Sequence, residues 1–329
     1  MNGIVVINKE CGYTSHDVVA VLRGVLGIKK IGHTGTLDPD ACGVLPVCAG
    51  FATKVCESLM MQTKEYVATG RLGIVTDTQD IHGTVIAEHE FHVSEAQFRE
   101  AIGQFVGTIE QLTPMYSARK IDGVKLVDLA RRGVTIERSK KTVKVYGIDL
   151  LSFDEASGEY QIRVRCQKGT YIRTICNDIG EVLGCGSCMT ALVRTATGKF
   201  TLEHSVTIDE LRKLRDEGRL SEALIPIDAM YRGCRPVALN VEYLKYIANG
   251  NYLEEDWLTP AEEPLRGFEY VYENLLGDRE ALCVRVYVEG EFFAIYLKKG
   301  HRFVPLQMYH EVDNEKNRVR KQVSADEDD

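Results

Sequence analysis

The sequence predicts an α+β fold: a mixed, largely antiparallel sheet flanked by helices, with a small β-rich module towards the C-terminal end. Three observations predict it. Strand-like alternation and helix-like periodicity interleave along the chain without a regular βαβ repeat. The 329 residues are about twice an ordinary single domain. Beyond Pro236, two strand patterns flank a hairpin signal.

The elements follow in order. Gly3 to Asn8 reads as a strand, and Ser15 as the cap of a helix whose Val18, Val19, Leu22, Val25 and Leu26 share one face. Ile31 to Val47 is punctuated by glycines, with a short apolar strand from Gly43. A helix through Ala52 to Met61 precedes a strand from Glu65 to Leu72. Ser94 caps a helix carrying Phe98, Ala101, Ile102 and Phe105. Alternation returns at Thr142 to Leu150 and Tyr160 to Cys166, and Thr207 to Glu217 reads as a polar-faced helix. Val241 to Ala248 is a short helix, and strands at Ala281 to Val288 and Phe292 to Leu297 are joined by Glu289-Gly290-Glu291. The expected organisation is residues 1–234 as the main domain, 235–310 as the small module and 311–329 as a disordered acidic tail.

Hydrophobic residues make up 44% and charged residues 27%, which excludes a disordered or fibrous chain. No apolar run is long enough to span a membrane and no signal-peptide pattern opens the chain, so a soluble, cytoplasmic protein is expected. The ten cysteines lack the dense spacing of a secreted scaffold and are expected reduced. The single C-x-x-C, Cys185 to Cys188, has no second pair or histidines at ligand spacing, so no metal is expected.

The formal net charge of −8 argues, taken alone, against a polyanionic partner, but its distribution argues otherwise. Between Arg119 and Gly147 nine basic residues, Arg131, Arg132, Lys140 and Lys141 among them, stand against three acids. The acidic excess lies in Glu254 to Glu273 and in the final residues. A segregated chain can hold an anion on one face; a solvated basic helix gives the same pattern.

Two clusters carry candidate chemistry. In Gly32-His33-Thr34-Gly35-Thr36-Leu37-Asp38-Pro39 the glycines allow close backbone approach, and Pro39 biases Asp38 towards an extended conformation that aims its carboxylate. The lysine and helix of a nucleotide phosphate loop are absent, and a plain tight turn capped by Asp38 is the alternative. In Lys168-Gly169-Thr170-Tyr171-Ile172-Arg173-Thr174, Thr170 reads as an N-cap before the stripe Ile172, Ile175, Ile179 and Leu183. Arg173 then falls in a first helical turn, where the helix dipole disfavours a cation. Asp38 or an RNA phosphate is the expected counter-charge, and an ordinary surface ion pair is the alternative.

The runs GHTGTLDPDACGVLP, KEYVATGRLGIVTDTQDIHG, PMYSARKIDGVKLVDLARRG, KGTYIRTICNDIGEVLG and LVRTATGKF, in this order over about two thirds of the chain, resemble the successive motifs of the TruB family of bacterial tRNA pseudouridine synthases. The resemblance implies a pseudouridine-synthase fold with a small PUA-like C-terminal module, and isomerisation of uridine 55 in the T-loop of tRNA. It implies Asp38 as nucleophile, Tyr66 as the ring stacked on the flipped base and candidate proton acceptor, and Arg173 as partner of the aspartate. His33, Tyr171, Leu192, Lys9 and Asp80 fall at its substrate-site positions, Lys9 more in support of the pocket than in the chemistry. The basic insertion at about 114–145 would close over RNA, with Arg131, Arg132, Lys140 and Lys141 on the backbone phosphates.

The reaction breaks and remakes a bond to one ribose carbon, so no cofactor, nucleotide or metal is expected. A carboxylate and a closed site suffice. The expected partner is the tRNA T-stem-loop, with no membrane, no obligate protein partner and a monomeric enzyme, since tRNA supplies the large partner surface. The competing readings are a non-catalytic tRNA-binding chaperone and a guide-RNA-dependent pseudouridine synthase. A glycosidase-like use of Asp38 with Asp40 lacks evidence of opposed carboxylates.

Overall fold

The computed structural model describes residues 2–117, 119–121, 123–134, 136, 138–262 and 275–310. The expected acidic tail at 311–329 lies outside the described residues, as do Glu263, Glu269 and Glu273 and the side chain of Arg131. In order, the chain forms β1 (Gly3–Lys9), α1 (Ser15–Leu26), β2 (Ile31–His33), β3 (Cys42–Ala49), α2 (Cys56–Met60), β4 (Lys64–Leu72), β5 (Ile74–Thr76), β6 (Val85–Glu88), α3 (Glu95–Gly103) and β7 (Gly107–Leu112). There follow β8 (Lys120–Ile121), β9 (Val124–Lys125), α4 (Leu126–Arg131), β10 (Lys140–Phe153), β11 (Glu159–Cys166), α5 (Ile172–Val182), β12 (Ser187–Thr197), β13 (Phe200–Thr201) and α6 (Ile208–Asp216). The last elements are β14 (Arg235–Leu239), α7 (Leu244–Ala248), β15 (Leu253–Glu254), β16 (Leu258–Pro260), β17 (Cys283–Val288), β18 (Glu291–Lys299) and β19 (Arg302–Met308). Among the described residues no helix is long and apolar enough to cross a membrane.

The chain divides into two compact units. One holds Val5–Cys48 and Thr53–Ala223; the other holds Asn2–Ile4, Ala49–Ala52 and the residues from Leu224. The boundary expected at 234/235 thus falls inside the second unit, just before β14.

The first unit is built on a nine-stranded sheet whose main path runs β1-β3-β12-β4-β11-β10-β7. The pairing of β3 with β12 is parallel, whereas β12–β4, β4–β11, β11–β10 and β10–β7 are antiparallel, so the α+β expectation holds. One face buries Ala68, Leu72, Tyr160, Ile162 and Val164 against Phe98 and Ile102 of α3 and Ile172, Ile175 and Ile179 of α5. Leu37 and Ala41, from the loop between β2 and β3, insert into this same core at 4% and 3% exposure. Burying a leucine contributes about 1.5–3 kcal/mol, so Leu37 anchors the loop that presents Asp38.

Two helix starts differ from expectation. Thr14, not Ser15, caps α1: its hydroxyl accepts from Asp17 N–H, and the Asp17 carboxylate accepts from Thr14 N–H. Ser15 is instead buried, accepting from Leu37 N–H at 2.9 Å and donating to Leu37 O at 3.3 Å. Tyr171, not Thr170, is the N-cap of α5, with an extended backbone and no side-chain cap of its own. Thr170 donates to Gln167 O. Ser94 caps α3 through a reciprocal pair with Gln97, as the local pattern predicts. The stretch read as one helix from Ala52 to Met61 starts as a 3-10 turn, Gly50–Val55, before α2.

The second unit contains a six-stranded sheet in the order β15-β19-β18-β17-β14-β16 around Val237, Val284, Val286, Tyr296 and Phe303. The hairpin expected at Glu289-Gly290 is present, with both residues at positive φ (49° and 82°) as a tight two-residue turn requires.

Candidate active site

A cavity of about 330 Å³ opens on the first unit where the β2–β3 loop meets the start of α5. Asp38, Tyr66, Tyr171, Arg173 and Leu192, all expected at a site, line it, together with Lys64, Ser117, Lys168 and Arg194. They arrive on separate segments: Asp38 on the loop, Lys64 and Tyr66 on β4, Ser117 after β7, Lys168 after β11, Tyr171 and Arg173 at the head of α5, and Leu192 and Arg194 on β12.

The electrostatic centre is Arg173. Its side chain is 7% exposed, and its Nη1 lies 3.6 Å from Asp38 Oδ2 and 3.5 Å from Asp80 Oδ2. The Asp38 separation is an ion pair without a well-formed hydrogen bond. Nη2 donates to Tyr116 O, while Nε is buried with no hydrogen-bond partner. A cation buried at a helix N-terminus is costly without counter-charge, and two carboxylates supply it. The alternative of an ordinary surface ion pair is therefore corrected. Asp38 is half exposed (52%) and faces the cavity; Asp80, at 17%, is held inside by Thr78 Oγ1 at 2.8 Å and His82 N–H at 3.2 Å. Asp80 thus orients Arg173, and Asp38 is the carboxylate open to a ligand.

Arg194 is fully buried and grips the loop from behind. Its Nε donates to Val44 O at 2.7 Å, Nη2 to Gly35 O at 3.4 Å and Nη1 to Thr36 O at 3.5 Å. Gly43, at φ 104°, lets β3 lie against β12 here: a Cβ would stand 2.2 Å from Arg194 O. Tyr66 stands opposite Arg194 in the β4–β12 register. Burial pushes its phenol up, with nearby Asp38 adding to the rise and Arg194 opposing it. At neutral pH the ring therefore presents O–H and an aromatic face.

Gln111, 1% exposed on β7, sets the head of α5. Its Oε1 accepts from Tyr171 N–H at 3.0 Å and its Nε2 donates to Tyr171 O at 3.1 Å, clamping both backbone groups of the N-cap residue.

The remaining expected residues stand differently. Lys9 is fully buried and off the cavity wall; its amine donates to Glu10 O (3.0 Å), Tyr13 O (2.5 Å) and Pro39 O (3.0 Å), and burial lowers its pKa. It holds the residue after Asp38 rather than lining the cavity. His33 is also off the wall. Burial, with His16 and Arg194 nearby, lowers its imidazole, whose Nδ1 accepts from Gly35 N–H at 3.3 Å. Asp80 lines a smaller adjoining recess with Asp38, Asp40 and His82. Lys141 is exposed and near the cavity, with its amine 3.4 Å from Gly169 O. Partial burial and the charges of Arg119 and Lys168 lower its pKa, as expected where cations cluster. Lys140 is exposed, 3.9 Å from Glu110. Arg132 is exposed in the turn after α4, and Arg131 ends that helix.

Residues 23–172 match the family model described as TruB family pseudouridylate synthase (N terminal domain), and residues 173–232 match that of the tRNA pseudouridylate synthase B C-terminal domain. The tRNA pseudouridine synthase B of Alkaliphilus oremlandii is 46% identical over 92% of this chain and 95% of its own length. That of Lachnoclostridium phytofermentans is 42% identical over 94% of this chain and 100% of its own.

The chain belongs to the TruB family.

Among solved structures, a chain of a Cbf5-Nop10-Gar1 complex superposes with a TM-score of 0.62 at 25% identity, covering 94% of this chain and 85% of the other. A chain of an H/ACA RNP bound to a substrate RNA containing 2'-deoxyuridine superposes at 0.61 with 23% identity, covering 94% and 85%, a likeness of fold. Within this TruB-family site, sequence reasoning passed over Gln111, Ser117 and Arg194. Arg194 had a signal: it alternates with Leu192 on the inward face of a strand, where a charge must have partners. Ser117 is buried on the cavity wall, its hydroxyl without a hydrogen-bond partner among the described residues, and sits in the Pro114 to Gly133 motif. Gln111 had none, because its partner lies 60 residues away.

Proposed function

We propose that this chain isomerises uridine 55 in the T-loop of tRNA to pseudouridine, acting on tRNA alone, with Asp38 as the nucleophile. One observation carries the reading: a half-exposed carboxylate, paired to a buried arginine, on the wall of a cavity of about 330 Å³ that also holds an aromatic ring and a leucine. That volume suits one flipped base. Extruding a base costs a few kcal/mol, and stacking on Tyr66 returns about 1–3 kcal/mol. Arg173 pairs with Asp38 and aims it; Leu192 and Tyr171 confine the detached uracil while it turns. Lys141, Lys168 and Arg119 place positive charge near the cavity, and Arg131, Arg132 and Lys140 extend it along the insertion for backbone phosphates. We take the enzyme to work as a cytoplasmic monomer. The identity of 46% to a tRNA pseudouridine synthase B, against 25% to a chain of the Cbf5 complex, favours this reading over a guide-RNA-dependent one.

The test is a T-stem-loop carrying tritium at uridine C5. Wild-type protein should release the label to water without added RNA, and Asp38→Asn should abolish release while binding persists. Release that requires a guide RNA, or Asp38→Asn retaining full release, would overturn the assignment.

A further inference from the structure

Cys11 and Cys42 lie outside the residues assigned to the reaction, yet their Sγ atoms are 2.6 Å apart across 31 positions of sequence. Of the ten cysteines Cys11 is the exposed one, in the turn after β1; Cys42 is half-buried and opens β3. Turn and Asp38 loop already touch: Gly12 N–H donates to Pro39 O at 2.9 Å, Lys9 Nζ to Pro39 O at 3.0 Å and the Cys11 thiol to Asp40 O at 3.3 Å. We propose that Cys11 and Cys42 are a reversible disulfide site that staples this turn to the loop carrying Asp38.

The chemistry balances with a low-molecular-weight disulfide as oxidant. The accessible Cys11 thiolate attacks one sulfur of the oxidant, forming a mixed disulfide and expelling one thiolate. Cys42 then loses its proton to solvent and displaces the second thiolate from Cys11. Two protein thiols are oxidised, and one small disulfide is reduced to two thiols. Burial and the Cys11 contact push the Cys42 thiol up to about 11, while the Lys9 ammonium opposes that rise; Cys11 therefore reacts first and Cys42 resolves. The other cysteines are shielded or only half open, since all but Cys56 are buried.

Closing the gap to a bond of about 2.05 Å needs a shift of roughly half an ångström. Cys42 cannot supply it, because Cys42 and Gly43 are fixed by pairing to Val193 and Arg194. The Cys11 turn can: Cys11 is exposed, and no atom lies within 4 Å of where a Cβ on Gly12 (φ +90°) would stand. Oxidation therefore holds the Asp38 loop where it now stands. It removes freedom from the unfolded chain without displacing the carboxylate.

The experiment incubates the full-length protein with oxidised glutathione and maps disulfides by mass spectrometry of a non-reducing digest. The expected product is a Cys11–Cys42 cross-linked peptide pair that dithiothreitol abolishes, with a rise in Tm on the order of 5 °C. Tritium release by the oxidised protein should equal that of the reduced protein. Cys11→Ser should form no cross-link and gain no Tm, and should match reduced wild type in activity. A stable glutathione adduct on Cys11 beside a free Cys42, or an equal Tm gain in Cys11→Ser, would overturn the staple. Loss of activity on oxidation in wild type but not in Cys11→Ser would overturn the claim that the loop stays in place. Only the activity readouts depend on the proposed reaction; cross-link and melting stand without it.

Discussion

The Arg173 guanidinium lies 3.6 Å from Asp38 and is almost wholly buried, whereas the carboxylate it holds is half exposed. The asymmetry suits a nucleophile that must meet a ligand while its counter-charge stays fixed. Removing the cation by Arg173→Met leaves Asp80, 17% exposed, without its charge partner. Breaking a buried pair costs about 3–5 kcal/mol when burial is complete, and the exposure of Asp38 lessens its share. Tritium-release kcat should fall about a hundredfold or more, with a lower Tm. Arg173→Lys keeps the charge but cannot also span to Tyr116 O, so it should fall between wild type and Met. Equal rates for wild type and Met would separate Arg173 from the chemistry.

Gln111 clamps the N-cap residue of α5, binding both backbone groups of Tyr171. Gln111→Leu removes both bonds; Tyr171 O keeps its bond from Ile175 N–H, so one half-buried N–H is left unsatisfied, at roughly 1–3 kcal/mol. The head of α5 carries Arg173, so kcat should drop while KM for the stem-loop changes little. Gln111→Asn is shorter and should not rescue. Hydrogen exchange at the amides of Tyr171 and Ile172 should quicken in Gln111→Leu; unchanged protection there would show that the clamp is dispensable.

These two residues show how far the sequence reaches. The anion that Arg173 requires is legible because a helix dipole acts within one turn, and Ser94 is legible as a cap because Gln97 is three residues away. Ser15 reads as the cap of α1, but Leu37 claims its hydroxyl from a distant loop and the adjacent Thr14 caps instead. Gln111 acts on a residue 60 positions away, and no local periodicity encodes that. The strand Gly107–Leu112 went unread because its side chains are mostly polar and it pairs only with β10. Arg194 passes as one letter of the LVRTATGKF run, although burial makes it the anchor of the Asp38 loop.

Gly43→Ala tests that anchor. The substitution puts a Cβ 2.2 Å from Arg194 O on a residue at φ 104°, so the β3–β12 pairing must open. Strain of this kind costs roughly 3 kcal/mol or more. The melting temperature should fall by several degrees, and activity should fall further than stability predicts because Asp38 loses its support. A variant that melts like wild type would show that the pairing has slack.

Reversing Arg131 and Arg132 to glutamate should weaken tRNA binding. Each lost phosphate contact should flatten the slope of log K against log salt by about 0.7–0.9. Arg132 is exposed in the turn after α4, so its reversal should leave folding unaffected. Binding measured across a salt series decides it: a slope as steep as wild type would remove this helix from the RNA interface.

Asp178 gives a pH signature independent of the reaction. Burial raises its carboxyl to about 6, partly offset by Asn177 Nδ2 donating at 3.1 Å. The folded state therefore holds the proton more tightly than the unfolded chain, whose carboxyl titrates near 3.8. Between those values the native state binds more protons, so this group's contribution to stability falls as pH rises and the loss is complete above about 6. Asp178→Asn keeps the acceptor for Asn177 and removes the charge. It should raise stability at pH 7.5 by on the order of 1 kcal/mol, the shift being discounted for partial exposure, and change little at pH 4. Denaturant melts at the two pH values measure the difference, and a gain of the same size at both would mean that the charge at Asp178 carries no penalty in the fold.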